Sequence, residues 1–350
     1  MTTQLRFGVI GCGEIAALTC QAIAEASNAR VAMLMDPRPE VLSDLSEMLS
    51  APTTTNVDDV FANPEVDAVY IAVPHAQHVP IGIRAAAAGK HVLMEKPIAT
   101  TLADADALIG ACREHGVALG MTYIAPVDGG MVAARDLVRG GALGEITAVR
   151  ITQHVDKPTR YWTGGYTGRV HTTWRTQKAE AGGGILIMNA IHDLNTVRWV
   201  TGLEVARVYA EYDTLATPVE VEDTIGVVLR YTNGAIGTIT AGSAMRGGAH
   251  EDRPGARIYG TKGQLILTQG EPLVWLDEPL EGGERGAWQP VHYGGRKGDL
   301  AEMVRRYAAA VLAGNEPPST GLDGRKSLEI VLAAYRSGER RAPVDLPLSI

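Results

Sequence analysis

Apolar residues in the first third of the chain fall into two alternating rhythms. Leu5–Ile10 alternates and ends in an apolar pair, the pattern of a buried strand. Ile15, Leu18, Ala22 and Ile23 follow at helical spacing. Strand-like runs return at 31–35, 66–73, 90–94 and 117–121, and helical ones at 81–88 and 102–115. Such alternation predicts an α/β domain with a doubly wound parallel sheet. Beyond Gly120 the rhythm changes. A helix at 130–138 precedes a strand at 145–154, and further strands are expected at 205–212, 225–231, 235–241, 257–259, 264–267 and 273–276. Asn233-Gly234 marks a hairpin turn between two of them. Helices at 299–313 and 324–341 close the chain, and order is expected to end at Pro343. The expected division is one α/β domain over 1–122 and a separate α+β domain over 123–350.

A second pattern stands out at 182–202. Gly182-Gly183-Gly184 leads into an apolar run ending at Gly202, which reads as a helix with a glycine C-cap. Leu186, Ala190, Leu194 and Val197 form its core stripe, while Met188, Asn189 and His192 share an adjacent face. An imidazole there can handle protons near neutral pH. Asp193 points about 100° around the helix from His192 and reads as a supporting group.

Composition narrows the function classes. The 350 residues are 45% hydrophobic and 21% charged, ordinary for a globular protein large enough for two domains. A net charge of −8 argues against a nucleic-acid partner. Cys12, Cys20 and Cys112 are odd in number and lack metal-like spacing, which fits free thiols in a cytoplasmic setting and no metal site. No signal-peptide pattern opens the sequence and no apolar run reaches membrane-spanning length, so no membrane partner is expected.

Candidate chemistry enters at the first strand–helix junction. Gly11-Cys12-Gly13-Glu14-Ile15-Ala16 is a G-x-G-x-x-A turn between strand and helix, the setting a dinucleotide fingerprint requires. Gly11 permits the turn, Gly13 lets amides approach a pyrophosphate, and Ala16 lets the helix pack closely. The helix N-terminus at Glu14 and Ile15 then offers N–H groups to the phosphates. Asp36 ends the second strand at the distance expected for an acid that binds the ribose hydroxyls. NAD is therefore the expected cofactor; Arg38, two residues on, leaves NADP open. Ligands of such sheets lie beyond the strands' carboxyl ends, which directs attention to Pro74, His75, His78, Glu95 and Lys96. Pro97 holds Lys96 extended.

These residues carry a resemblance. Phe7-Gly8-Val9-Ile10-Gly11-Cys12-Gly13, Ile71-Ala72-Val73-Pro74 with His78, and Gly89-Lys90-His91-Val92-Leu93-Met94-Glu95-Lys96-Pro97 resemble the Gfo/Idh/MocA family of sugar oxidoreductases. Gly140-Gly141-Ala142-Leu143-Gly144, Gly182-Gly183-Gly184 with His192, and Tyr259-Gly260-Thr261-Lys262-Gly263 extend the likeness in order. The resemblance implies an N-terminal Rossmann domain and a C-terminal α+β domain with a large, mostly antiparallel sheet. One sheet face commonly joins subunits, so a homodimer or homotetramer is expected. It also implies that Lys96 and His192 bracket the substrate beside the nicotinamide. Relatives often carry an aspartate four residues before that histidine, where this chain has Met188 with Asn189 next to it. The lysine–aspartate–histidine version of the site is not intact here.

Substrate contacts are expected from Tyr123, Asn189 and His192, and from a Gly-rich segment at 160–175 dense in aromatics and arginines: Arg160, Trp162, Arg169, Trp174 and Arg175. The same segment also reads as an arm packing on a neighbouring subunit. A second, weaker candidate loop is 245–250. The expected reaction is NAD-dependent oxidation of a secondary hydroxyl on a sugar, sugar acid or cyclitol. His192 would act as general base and Lys96 as hydrogen-bond donor to the reacting oxygen. Two rival readings are a glycoside hydrolase that oxidises and eliminates through transient use of NAD, and an NAD-binding regulator without turnover.

Overall fold

The computed structural model describes residues 4–248, 253–268, 271–280, 283–294 and 298–349. Ala249 and His250, from the second candidate loop, lie outside the described residues. The chain packs into two compact units that do not follow a single cut in sequence. Unit 1 comprises Met1–Val127, Thr159–Gly182 and Asp299–Leu328; unit 2 comprises Asp128–Pro158, Gly183–Gly298 and Glu329–Ile350. The division expected near residue 122 separates the chain by sequence, whereas packing returns two later segments to unit 1.

Unit 1 holds a six-stranded parallel sheet in the order β3-β2-β1-β4-β5-β6. Its strands are β1 (Leu5–Ile10), β2 (Ala29–Met35), β3 (Thr53–Thr54), β4 (Ala68–Ile71), β5 (His91–Met94) and β6 (Leu119–Met121). Its helices are α1 (Glu14–Glu25), α2 (Ser43–Leu49), α3 (Val57–Ala62), α4 (His78–Ala87) and α5 (Leu102–Glu114). Phe7, Val9, Tyr70 and Leu93 are fully buried, as expected for a sheet covered on both faces. The Tyr307 ring, from a helix late in the chain, packs on Phe7 at 5.9 Å between centroids. The short elements β3, α2 and α3 were not legible in the sequence, because they are too short to establish a period.

Unit 2 is built on a nine-stranded sheet in the order β14-β13-β12-β11-β7-β10-β9-β8-β15. A helix, α6 (Gly129–Arg139), precedes β7 (Ile146–His154). Two short helices of unit 1 follow, α7 (Tyr161–Gly164) and α8 (Lys178–Ala181). A π-helical segment, Leu186–Ala190, runs into α9 (Ile191–Thr201). The strands continue as β8 (Val205–Asp213), β9 (Thr224–Tyr231), β10 (Ile236–Gly242), β11 (Gly255–Gly260), β12 (Gly263–Thr268), β13 (Leu273–Leu276), β14 (Gln289–Pro290) and β15 (Val344–Asp345). All pairs are antiparallel except β7 with β10. The expected hairpin joins β9 to β10 at Asn233-Gly234, where Gly234 has φ +89°. Burial alternates along β9 and β10, with Ile225, Val227, Leu229 and Ile239 inside and Val228 and Ile236 exposed. The chain closes with α10 (Leu300–Leu312) and α11 (Gly321–Arg340). Order extends past Pro343: Val344 pairs with Val208, and Leu348 is buried. No helix among the described residues is long and apolar enough to cross a membrane.

Candidate functional site

In unit 1 the fingerprint turn is shaped by what a side chain would strike. Gly11 has φ +86°, and a Cβ there would lie 2.6 Å from the Ala72 carbonyl oxygen. Only glycine meets both constraints. Gly13 is the N-cap of α1, makes no side-chain cap, and has open space where a Cβ would project. The first amides of α1 are thus left without a side-chain cap, next to open space of the kind that suits a phosphate group. Ala16 is fully buried. These features fit a dinucleotide.

Asp36 is buried and engaged on both oxygens. Its Oδ2 accepts from Cys12 N at 2.9 Å, and its Oδ1 accepts from Arg38 N at 3.0 Å and Arg38 Nε at 2.8 Å. The carboxylate therefore ties the fingerprint turn to the end of β2, with Arg38 folded over it.

At the next strand ends, the histidines turn inward. His78 is fully buried, with Nδ1 2.7 Å from the Pro97 carbonyl oxygen and Nε2 3.0 Å from that of Val73. A neutral ring can donate to only one of them, and burial pushes its pKa down to about 4. His78 thus braces the loops after β4 and β5. His75 directs Nδ1 to the Ala181 carbonyl oxygen at 2.7 Å and packs against Trp174 at 4.6 Å; burial holds its pKa well below the usual value. Glu95 accepts from Tyr70 Oη at 2.8 Å and from Lys96 N at 3.3 Å. Pro74 and Lys96 are half-buried, and the Lys96–Pro97 peptide is cis. Among residues expected to touch the cofactor, His78 and Glu95 place both polar side-chain atoms, and His75 its Nδ1, on protein partners.

The Gly-rich segment proves to be a strap on unit 1. The Glu14 carboxylate accepts from Tyr166 N at 3.0 Å and Thr167 N at 2.7 Å. Gly165 lies so close that a Cβ would stand 2.3 Å from Glu14 Oε2. Arg169 donates to the carbonyl oxygens of Cys12 (3.0 Å) and Val41 (2.6 Å) and pairs with Asp44. Asp44 titrates below the usual carboxylate range because of that guanidinium. The Arg175 guanidinium lies over Trp174 and Tyr161, 4.7 and 5.1 Å from their ring centroids. Trp162 is buried, and Arg160 donates to the Tyr166 carbonyl oxygen at 3.2 Å. Five residues expected at a substrate are thus held on the nucleotide-binding unit. No local pattern foretells this, since Glu14, Asp44 and Ala181 lie far from the strap's arginines and aromatics in sequence or carry no signal. Tyr123, also expected at the substrate, is buried in unit 1.

In unit 2 the glycines that open the helix serve close packing. A Cβ on Gly184 would lie 1.8 Å from the Glu222 carbonyl oxygen, and one on Gly183 would lie 2.2 Å from Tyr335 Oη. The buried Glu222 carboxylate accepts from Gly184 N at 2.5 Å, Leu186 N at 2.9 Å and Tyr335 Oη at 2.8 Å. It caps the helix with a charge that complements the helix dipole, although burial pushes its pKa up. The core stripe is as expected: Leu186, Ala190, Leu194 and Val197 are buried, and Gly202 closes the helix at φ +75°. Met188 is buried as well, while Asn189, His192 and Asp193 keep partial exposure.

Two residues from β7 and the loop after it organise that polar face, and sequence reading missed both. Lys157 Nζ donates to Asn189 Oδ1 at 2.7 Å. Gln153 Nε2 donates to Asp193 Oδ2 at 2.9 Å. Protein surrounds the Asp193 carboxyl on most sides, and burial raises its pKa to about 7. No cluster of metal-ligating side chains occurs among the described residues.

A nucleotide-ready α/β unit and a second unit carrying a partly exposed imidazole on a capped helix fit an NAD-binding oxidoreductase. The comparisons agree. The family model described as oxidoreductase family, NAD-binding Rossmann fold, matches residues 5–123, and the model for the GFO/IDH/MocA C-terminal domain matches 131–266. The chain belongs to the Gfo/Idh/MocA family. Over 338 residues it is 28% identical to 1,5-anhydro-D-fructose reductase of Ensifer adhaerens, spanning 95% of this chain and 96% of that one. Myo-inositol 2-dehydrogenase of Thermotoga maritima is 27% identical over 351 residues, 98% of both chains. The crystal structure of the WlbA dehydrogenase from Bordetella pertussis, in complex with NADH and UDP-GlcNAcA, superposes with a TM-score of 0.87. It is 26% identical, over 99% of this chain and all of that one.

Proposed function

We propose that the protein oxidises a secondary hydroxyl of a sugar, sugar acid or cyclitol, with NAD as hydride acceptor. The observation carrying the reading is the partly exposed His192 beside Asn189 on a helix otherwise buried along its stripe, in a chain whose other unit keeps α1 open at Gly13. Relatives named for inositol and anhydrofructose support a polyol or sugar substrate. NAD, when bound, supplies the electrophilic nicotinamide carbon that accepts hydride. Gly11, Gly13 and the amides of Glu14 and Ile15 would hold its phosphates, and Asp36 with Arg38 would take the adenosine ribose. Neutral His192 takes the hydroxyl proton on a ring nitrogen. Lys96 donates a hydrogen bond to the same oxygen as alkoxide charge develops. With Met188 in the core, no aspartate four residues upstream assists the imidazole.

The test is NADH formation at 340 nm across polyols, aldoses and sugar acids. His192→Ala should lower kcat by on the order of 10²-fold while leaving NADH affinity unchanged. Undiminished turnover in that variant would remove His192 from the role of base. Glycoside cleavage without net NADH would instead favour the oxidation–elimination reading. The exposed apolar positions Val228 and Ile236 on the nine-stranded sheet support a homo-oligomer joined through that face, which light scattering after size exclusion checks. A cytoplasmic location accords with the three free cysteines.

A further inference from the structure

Near His192 in sequence, one polar group has been set in a fixed orientation with no acceptor for its N–H groups among the described residues. Lys157 is buried, at 3% exposure, three residues past the end of β7. Its Nζ donates to Asn189 Oδ1 at 2.7 Å. An ammonium has donors and no acceptor, so this bond determines which end of the amide faces it. Asn189 Nδ2 is turned the other way, with two donor hydrogens and no acceptor among the described residues. Asn189 retains partial exposure and precedes His192 by three residues, which puts the two on neighbouring positions of one face. It also stands in the π-helical segment Leu186–Ala190, an irregularity frequent at functional sites.

We propose that Lys157 is a positioning residue that locks Asn189, and that Asn189 Nδ2 donates to an acceptor oxygen next to the hydroxyl His192 deprotonates. The pair narrows the substrate to sugars carrying a carboxylate at that place. An ammonium one hydrogen bond behind the amide polarises its N–H groups and adds positive charge, and both effects favour an anionic acceptor over a neutral hydroxyl. The inference rests on the reading of His192 given above.

The test reads binding rather than turnover. Calorimetry on the full chain saturated with NADH measures affinity for uronates and aldonates and for the matched neutral sugars. The wild type should prefer the best sugar acid over its neutral counterpart by roughly ten-fold or more, the span of one charge-assisted hydrogen bond. Asn189→Asp keeps an acceptor for Lys157 but removes the donor and adds a repelling charge, so the preference should vanish. Lys157→Gln frees the amide to turn and should lower the preference about ten-fold, while Lys157→Arg should retain most of it. The double variant K157Q/N189D should lose no more than N189D alone, because the lysine acts through the asparagine. NADH affinity and circular dichroism should be unchanged throughout. Should the lysine variants fail to fold, N189D, at a partly exposed position, still decides. Equal affinity of the wild type for acids and neutral sugars, or a preference surviving in N189D, would overturn the proposal. Absence of turnover with every sugar would overturn the dehydrogenase reading and leave the binding ratios to judge this one.

Discussion

Asp193→Asn should make the protein more stable at alkaline pH and nearly neutral in effect at acid pH. The Asp193 carboxyl is surrounded by protein, accepts one hydrogen bond from Gln153, and has its pKa raised to about 7. In the unfolded chain an aspartate titrates near 3.9. The native state therefore binds this proton more tightly than the unfolded state does. The stability it contributes is present below about pH 4 and is lost as pH rises toward 7. A shift of about 3 units is worth at most about 4 kcal/mol, and the partial exposure of Asp193 lowers that to roughly 2–4 kcal/mol. Asparagine keeps an oxygen for Gln153 and carries no charge, so it removes the penalty. By linkage the two proteins should differ by about 1 kcal/mol or less at pH 4.5, with the variant ahead by roughly 2–4 kcal/mol at pH 8.5. In thermal scans of a unit this size, 2 kcal/mol corresponds to about 4–8 °C in Tm. Two compact units need not unfold in one step, so the transition is best followed by hydrogen exchange of α9 amides alongside the scan. Parallel pH dependence in the two proteins, or a less stable variant at pH 8.5, would refute the reasoning.

Other expectations concern the strap and the helix cap. Arg169→Ala removes the donors to the Cys12 and Val41 carbonyl oxygens and the ion pair with Asp44. It should speed NADH release by about ten-fold or more, the worth of one or two such bonds to the fingerprint turn, as stopped-flow fluorescence can read; an unaltered rate would mean that these bonds do not support the cofactor site. Glu222→Ala strands the Gly184 and Leu186 amides and the Tyr335 hydroxyl in a buried setting. The cost should be about 3 kcal/mol or more, visible as a fall in Tm, with Glu222→Gln milder because it still offers one acceptor.

Much of the architecture follows from local pattern alone. Period-two and period-3.6 runs place the long strands and helices, the turn at Asn233-Gly234 sets a hairpin, and the Gly11–Ala16 turn marks a nucleotide site through steric demands that only small residues meet. His192 was legible for the same reason, as a polar position beside a regular apolar stripe. What its neighbours do was not legible. Lys157, Gln153 and Glu222 carry no motif, and each matters only because segments distant in sequence bring it to this helix. The strap shows the converse. Its arginines and aromatics stand out in sequence as candidate ligand contacts, and only the fold shows that Arg169 also pairs with Asp44, that Trp174 packs on His75, and that the backbone of Tyr166 and Thr167 is held by Glu14. Residue type limits which bonds a side chain can make. Which partner takes them is decided by burial, since a polar group removed from water must be satisfied by whatever the tertiary structure brings within reach.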